Sequence, residues 1–135
     1  MGDELISKLK DALDAHRDVI VAYLFGSAAR GRLRPDSDVD VAVLSADCPR
    51  SGSSGLTLAS MRYGLQADLQ EAAHRPVDLV ILNQASPDLI HRILRDSVLL
   101  VERDRSARIR FEVGARNDYF DVVPFLNRYR QAALR

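Results

Sequence analysis

The sequence predicts an α/β (α+β) fold, a small mixed β-sheet flanked by helices. Short β-rich apolar runs alternate with stretches of helical periodicity, so strands and helices interleave along the chain. The apolar runs are four to seven residues long, the length of strands in a small sheet. With 135 residues and a 47% hydrophobic fraction, the chain is long enough to bury one core without disulfide or zinc staples. A single domain over residues 1–135 is expected, with a C-terminal helical segment at about 105–135.

The elements follow in order. Leu5, Ile6, Leu9, Ala12 and Leu13 recur at helical spacing and predict an amphipathic first helix. Val19 to Phe25 is a β-rich run that ends at Gly26, a strand entering a turn. Ser27 to Gly31 reads as the start of a short helix, and Arg32 to Ser37, with Pro35, as a loop. Val39 to Leu44 is a second strand. Asp47 to Gly55 holds Pro49, two glycines and three serines and is expected to be a mobile linker. Leu58, Met61, Leu65 and Leu69 place a helix over Leu56 to His74, and Pro76 then leads into a third strand, Val77 to Leu82.

Ser86-Pro87-Asp88 combines a capping serine, a proline at the first helical position and an acid in the first turn. The helix it starts should carry Leu89, Ile90, Ile93 and Leu94. Val98 to Val101 is expected as an edge strand. From Arg105 to Leu134 the chain is expected to be mostly helical, with a kink or break at Pro124.

Composition excludes several functions. Lys+Arg and Asp+Glu are both 19, and the charges are scattered, so no field draws the chain onto nucleic acid. No apolar run spans a bilayer, and the amphipathic start lacks the apolar core of a secretory signal. A cytoplasmic protein is expected. Cys48 stands alone and reads as an incidental loop residue. His16, His74 and His91 fall on separate elements without metal-ligand spacing and read as surface or capping residues. The late aromatics Tyr119, Phe120, Phe125 and Tyr129 read as core or partner interface.

The chemistry is concentrated between Tyr23 and Leu44, YLFGSAARGRLRPDSDVDVAVL. Gly26 lets the backbone bend and a ligand approach closely. Ser27 adds a hydroxyl and a backbone N–H at a helix start, where phosphate is favoured. Such turns are also common without any ligand. Asp38 and Asp40 share one strand face, ~7 Å apart along the chain. Two carboxylates there need neutralising, and magnesium takes carboxylate and phosphate oxygens. The bland alternative puts Asp38 at the strand start and Asp40 on a solvated face. Asp78 interrupts PVDLVIL, a strand that reads as buried throughout, and an aspartate there needs a partner. That partner is either the same metal site, where Asp78 would also help activate a hydroxyl, or an arginine such as Arg75 or Arg30.

Taken together, Gly26-Ser27, ten intervening residues and Asp38-Val39-Asp40 resemble the polymerase-beta-type nucleotidyltransferase superfamily. GSAARG followed by SDVDVAVL resembles its minimal nucleotidyltransferase (MNT) proteins, and the likeness continues through HRILRDSVLLVERD to RFEVGARNDYFD. One departure is visible: members often carry a glycine and a tyrosine where this chain has Asp96-Ser97 and Leu100, a change expected to affect packing.

The resemblance implies a magnesium-dependent enzyme, with ATP as substrate and Mg2+ as two ions. It implies an antitoxin that transfers AMP to a tyrosine hydroxyl of a HEPN-type RNase toxin, and a hetero-oligomer with that toxin. Carried over by position, Gly26 and Ser27 hold the triphosphate, Asp38 and Asp40 bind metal, and Asp78 is the third carboxylate. Arg30 either touches phosphate or braces the loop. Two other functions stand beside this one: a non-catalytic antitoxin that masks its toxin by binding, and nucleotidyl transfer to a small-molecule hydroxyl.

Overall fold

The computed structural model describes residues 2–31, 37–46 and 55–133. Its elements in order are α1 (Gly2–Asp14), β1 (Val19–Phe25), β2 (Val39–Ser45), α2 (Gly55–Ala73), β3 (Val77–Ile81), α3 (Pro87–Arg95), β4 (Val98–Glu102) and α4 (Arg105–Ala133). The strands form one sheet in the order β3–β2–β1–β4. β1 runs antiparallel to both β2 and β4, and β2 runs parallel to β3. The parallel pair needs a crossover, and α2 lies between the two strands in the chain. The sheet is therefore mixed, as the interleaved pattern predicts.

Alternation along the strands divides the core between two faces. On one face Leu9 and Leu13 of α1 and Leu65 and Leu69 of α2 cover Val39, Val41, Val43, Val77 and Leu79. On the other, Ile90 and Ile93 of α3 and Ala115 of α4 pack with Val21, Tyr23, Ala42 and Leu44. The first helix thus forms for the reason its spacing gives: Leu9 and Leu13 are fully buried and Leu5, Ile6 and Ala12 pack beside them.

The caps explain where the helices stop and start. The Ser86 hydroxyl accepts the Leu89 N–H at 3.3 Å, with Pro87 opening α3. At the end of α2, His74 takes a left-handed φ of 56° while its N–H donates to the Gln70 carbonyl oxygen at 2.9 Å. This is the capping role foreseen for a histidine. His16 Nε2 lies 2.6 Å from Asp68 Oδ2, joining the chain after α1 to α2. β3 ends one residue earlier than expected, because Leu82–Gln84 is a 3-10 turn. Asn83 leaves the strand line there, and its side-chain amide bonds both the N–H and the carbonyl oxygen of Ser45, at 2.9 and 2.8 Å.

Three expectations are corrected. Ser27 to Gly31 forms no helix. It is a run of turn closed by Arg30 N–H to the Gly26 carbonyl oxygen and Gly31 N–H to that of Ala28, both 3.3 Å, and Gly31, at φ +70°, ends it. β3 is not buried throughout. It is an edge strand whose Asp78 is exposed between buried Val77 and Leu79. Of the kink or break expected at Pro124, the break does not occur: α4 continues as a helix to Ala133. Residues 32–36 of the expected loop and 47–54 of the expected linker, Cys48 included, lie outside the described residues, as do the side chains of Phe125 and Tyr129. Among the described residues no helix is long and apolar enough to cross a membrane.

Candidate active site

The strand register brings the sequence-predicted carboxylates together. Asp40 of β2 is the direct partner of Asp78 of β3, and neighbouring strands lie ~4.8 Å apart. Ala42 and Leu44, two and four residues beyond Asp40, belong to the core under α3 and α4. Val80, two beyond Asp78, packs there as well. Asp40 and Asp78 therefore face that side of the sheet. Asp38, two residues before Asp40 and just outside the strand, follows the same alternation.

Burial differs among the three: Asp40 is half-buried, whereas Asp38 and Asp78 are exposed. Burial holds the Asp40 carboxyl above the usual carboxylate range. The charge of Asp78, and then that of Asp38, pushes it further the same way. No cation is among those influences. Among the described residues no arginine, lysine or histidine forms an ion pair with any of the three. The arginines considered as partners of Asp78 are turned elsewhere. Arg30 Nη2 lies 3.3 Å from Asp96 Oδ2, and Arg75 Nη1 donates to the Ser37 carbonyl oxygen at 3.5 Å.

The Gly26 turn sits against this cluster. Phe25, the last residue of β1, pairs with Asp40 across the sheet. Gly26 then adopts φ +76°, and a Cβ placed there would overlap the Asp40 carboxylate. Both the backbone angle and the space demand glycine. Ser27 follows in the turn, half-buried. The site is thus a glycine-serine turn directly beside a cluster of three aspartates.

The donor set suits a hard divalent cation: carboxylate oxygens with no basic ion-pair partner among the described residues, one of them already resisting ionisation. Among the described residues no three His, Cys, Asp or Glu side chains close into a preformed cage. An open carboxylate edge of this kind leaves coordination positions for phosphate oxygens and water, which magnesium prefers to an all-protein shell.

One connected group was not foreseen. Tyr23, buried in β1, donates its hydroxyl to Glu112 Oε1 at 2.8 Å. Arg108 reaches Glu112 at 2.9 Å and Glu102 at 2.8 Å, so β1, β4 and α4 are joined. Burial, then the hydrogen bond to Glu112, raises the Tyr23 hydroxyl well above its ordinary pKa. The hydrogen bonds to Glu112 hold the Arg108 guanidinium more firmly protonated. The available signal was a tyrosine in the aliphatic run VIVAYLF, whose buried hydroxyl needs an acceptor.

The pattern of the family described as Polymerase beta, Nucleotidyltransferase matches residues 7–106, most of the chain. The chain belongs to that family. A curated relative, Protein adenylyltransferase MntA of Shewanella oneidensis (strain MR-1), is 38% identical over 73 residues. That stretch is 53% of this chain and 46% of the relative, so the match spans just under half of the relative's length.

Solved structures agree over a longer span. A toxin–antitoxin structure with AMP-PNP superimposes with a TM-score of 0.71 at 28% identity, covering 96% of this chain and 94% of the other. A tri-AMPylated Shewanella oneidensis HEPN toxin in complex with MNT antitoxin gives a TM-score of 0.67 at 26% identity, covering 99% and 96%. The mixed four-stranded sheet with its helices on both faces is the nucleotidyltransferase fold in this family.

Proposed function

We propose that this chain is a cytoplasmic, magnesium-dependent adenylyltransferase antitoxin, which moves AMP from ATP to a tyrosine hydroxyl of a HEPN-type RNase toxin and so neutralises it. The observation that carries this reading is the register pairing of Asp40 with Asp78 beside the Gly26-Ser27 turn. It occurs in a chain similar to an adenylyltransferase and to antitoxins solved with an ATP analogue and with a tri-AMPylated toxin. By the same likeness, more than one AMP is added to the toxin.

Each residue has a role in this reading. The backbone N–H groups of the turn at Gly26 and Ser27, with the Ser27 hydroxyl, hold the triphosphate, since free N–H groups in a turn cradle anions. Asp38, Asp40 and Asp78 would hold magnesium, which supplies neutralisation and polarisation of the phosphate oxygens when bound. The tyrosine oxygen bonds to the α-phosphorus. The bond from that phosphorus to the β-phosphate bridging oxygen breaks, and pyrophosphate leaves with the electron pair. Asp78, exposed at the sheet edge, takes the hydroxyl proton. Arg30 braces the turn through Asp96 in preference to touching phosphate, because the two side chains already pair. The toxin docks on α4, where Ile109, Val113 and Phe120 are exposed apolar positions near one face of the helix.

Calorimetric titration with ATP tests the cation dependence. Three close carboxylates repel a triphosphate unless neutralised, so ATP should bind at least about tenfold more tightly with magnesium than with chelator. Equal affinity in the two conditions removes the metal role.

A further inference from the structure

We infer that Arg62, Gln66 and Gln70 of α2 are positioning residues for the transfer: by holding the outer edge of β3 they fix where Asp78 stands relative to Asp40. This role rests on the adenylyltransferase reading above and falls to side chains that lie away from the substrate.

β3 is five residues long and lies at the sheet edge, so β2 alone holds it by a ladder. Pro76 turns its carbonyl oxygen toward β2, where it accepts the Val39 N–H at 3.0 Å. Successive residues of a strand turn to opposite sides, so Val77 and Leu79 present their backbone groups to the open edge. Three side chains of α2 meet them there. Gln70 Oε1 accepts the Val77 N–H at 3.2 Å, Gln66 Nε2 donates to the Val77 carbonyl oxygen at 2.8 Å, and Arg62 Nη2 donates to the Leu79 carbonyl oxygen at 3.1 Å. Their spacing of four residues puts them on one stripe of the helix. Leu65 and Leu69, which precede Gln66 and Gln70, are fully buried against the sheet. The polar stripe therefore sits one step around the helix, over the edge.

Asp78 stands between the two residues that are held. Its side chain faces α3 and α4, whereas α2 covers the other face, so the stripe grips the backbone on either side of Asp78 from behind. A strand held on one side alone opens more readily than a central one. Misplacing a reacting group by ~1 Å costs about a hundredfold in rate, and Asp78 both pairs with Asp40 and takes the hydroxyl proton. A fifth strand would satisfy the same backbone groups. It would also set another side chain ~4.8 Å from Asp78 on the same face, where an acceptor hydroxyl has to arrive. The α2 stripe holds the strand and leaves that side open. It also keeps the edge from pairing with another chain.

A backbone carbonyl only accepts and a backbone N–H only donates, so the two glutamines have fixed and opposite roles. The test compares Gln66→Glu with Gln70→Glu. Each adds one negative charge to the same stripe. Gln66→Glu replaces the donor to Val77 by an acceptor, whereas Gln70→Glu keeps its acceptor. Steady-state transfer of AMP from ATP to the co-encoded toxin is measured with magnesium, well below the melting temperature of each chain. Amide hydrogen exchange is measured on the chain alone. The expected result for Gln66→Glu is a kcat about tenfold or more lower and exchange at the Val77 amide about tenfold faster. Its KM for ATP stays within about twofold of wild type, because the Gly26-Ser27 turn that grips the triphosphate is untouched. Gln70→Glu stays within about twofold of wild type in all three. Should Gln66→Glu fail to fold, Arg62→Met carries the same comparison: Arg62 is exposed, its loss lowers kcat in the same way, and Arg62→Lys, which keeps a donor, recovers it. A folded Gln66→Glu chain with the wild-type kcat overturns the inference even if it melts lower, since the stripe is then structural only. Equal losses in the two glutamate variants overturn it too, because added charge and not the bond to Val77 is then responsible. No AMP on the toxin with the wild-type chain fails the functional reading beneath and takes this role with it, an outcome that the kinetics of the variants do not mimic.

Discussion

Asp40 is the residue on which structure and chemistry pull in opposite directions. Its folded-state pKa is raised, chiefly by burial and then by Asp78 and Asp38, so the fold favours the protonated form. The stability this confers is complete below the unfolded value of 3.8 and is lost as pH rises through the raised folded value. In chelator, Asp40→Asn should therefore melt higher than wild type, by an interval that grows as pH rises from 3.8 toward neutrality. Each kcal/mol relieved is worth about 3–5 °C in a domain of this size. The same variant should lose transfer by two or more orders of magnitude, roughly the effect of losing one key electrostatic group. Melting curves across pH check the first part, and an interval that shrinks with pH would contradict it. Gly26→Ala should be damaging for a different reason: the left-handed φ and the overlap with Asp40 together cost ~1–3 kcal/mol. Chemical denaturation measures this, and an unchanged midpoint would show that the turn and Asp40 do not touch. Both residues were legible in the sequence, because a two-residue spacing on a strand and a glycine at a strand end have local geometric meaning. Asp78 was found for a reason that failed. It read as a buried acid in need of a partner, yet it is exposed, because β3 lies at the sheet edge, and strand order is not a local property.

At the scale of elements, the sequence pattern located the four strands and four α-helices of the described residues, and Ser86-Pro87-Asp88 marked the start of α3. Local patterns did less well where a long-range contact decides the outcome. The turn after Gly26 was expected to be helical, but Gly31 takes a left-handed angle and ends it after one turn. The tie from Tyr23 to Glu112 spans 89 residues, and nothing near either residue announces the other. That tie fixes α4 against the strand that ends in the Gly26 turn. Tyr23→Phe removes one hydrogen bond to a charged group and should cost about 1.5–3 kcal/mol of stability, while Arg108 keeps Glu112 paired. Urea titration reads this directly. A cost under ~0.5 kcal/mol would mean that α4 is held by packing alone.

For the whole molecule, the sheet places its central strand β2 between the turn of β1 and the carboxylate of β3. One end of one face thereby gathers Gly26, Ser27, Asp40 and Asp78. The same face carries α3 and α4, so a partner seated on the exposed Ile109, Val113 and Phe120 of α4 is brought to the side of the molecule that holds the carboxylates. Docking can then position a hydroxyl for in-line attack without a dedicated small-molecule pocket. The charge balance of zero leaves no net-charge attraction to a partner, so the proposed docking would draw on that apolar contact. A masking antitoxin would use the same contact and need no carboxylates, so the two accounts part at chemistry. The most direct measurement is the intact mass of the co-encoded toxin after incubation with ATP, magnesium and either the wild-type chain or Asp38→Asn/Asp40→Asn, alongside the toxin's RNase activity. The account predicts an adenylyl increment and lost RNase activity with the wild-type chain, and an unmodified, active toxin once the variant is removed. Lasting inhibition by wild type without a mass increment, or an equal increment from the variant, would contradict it.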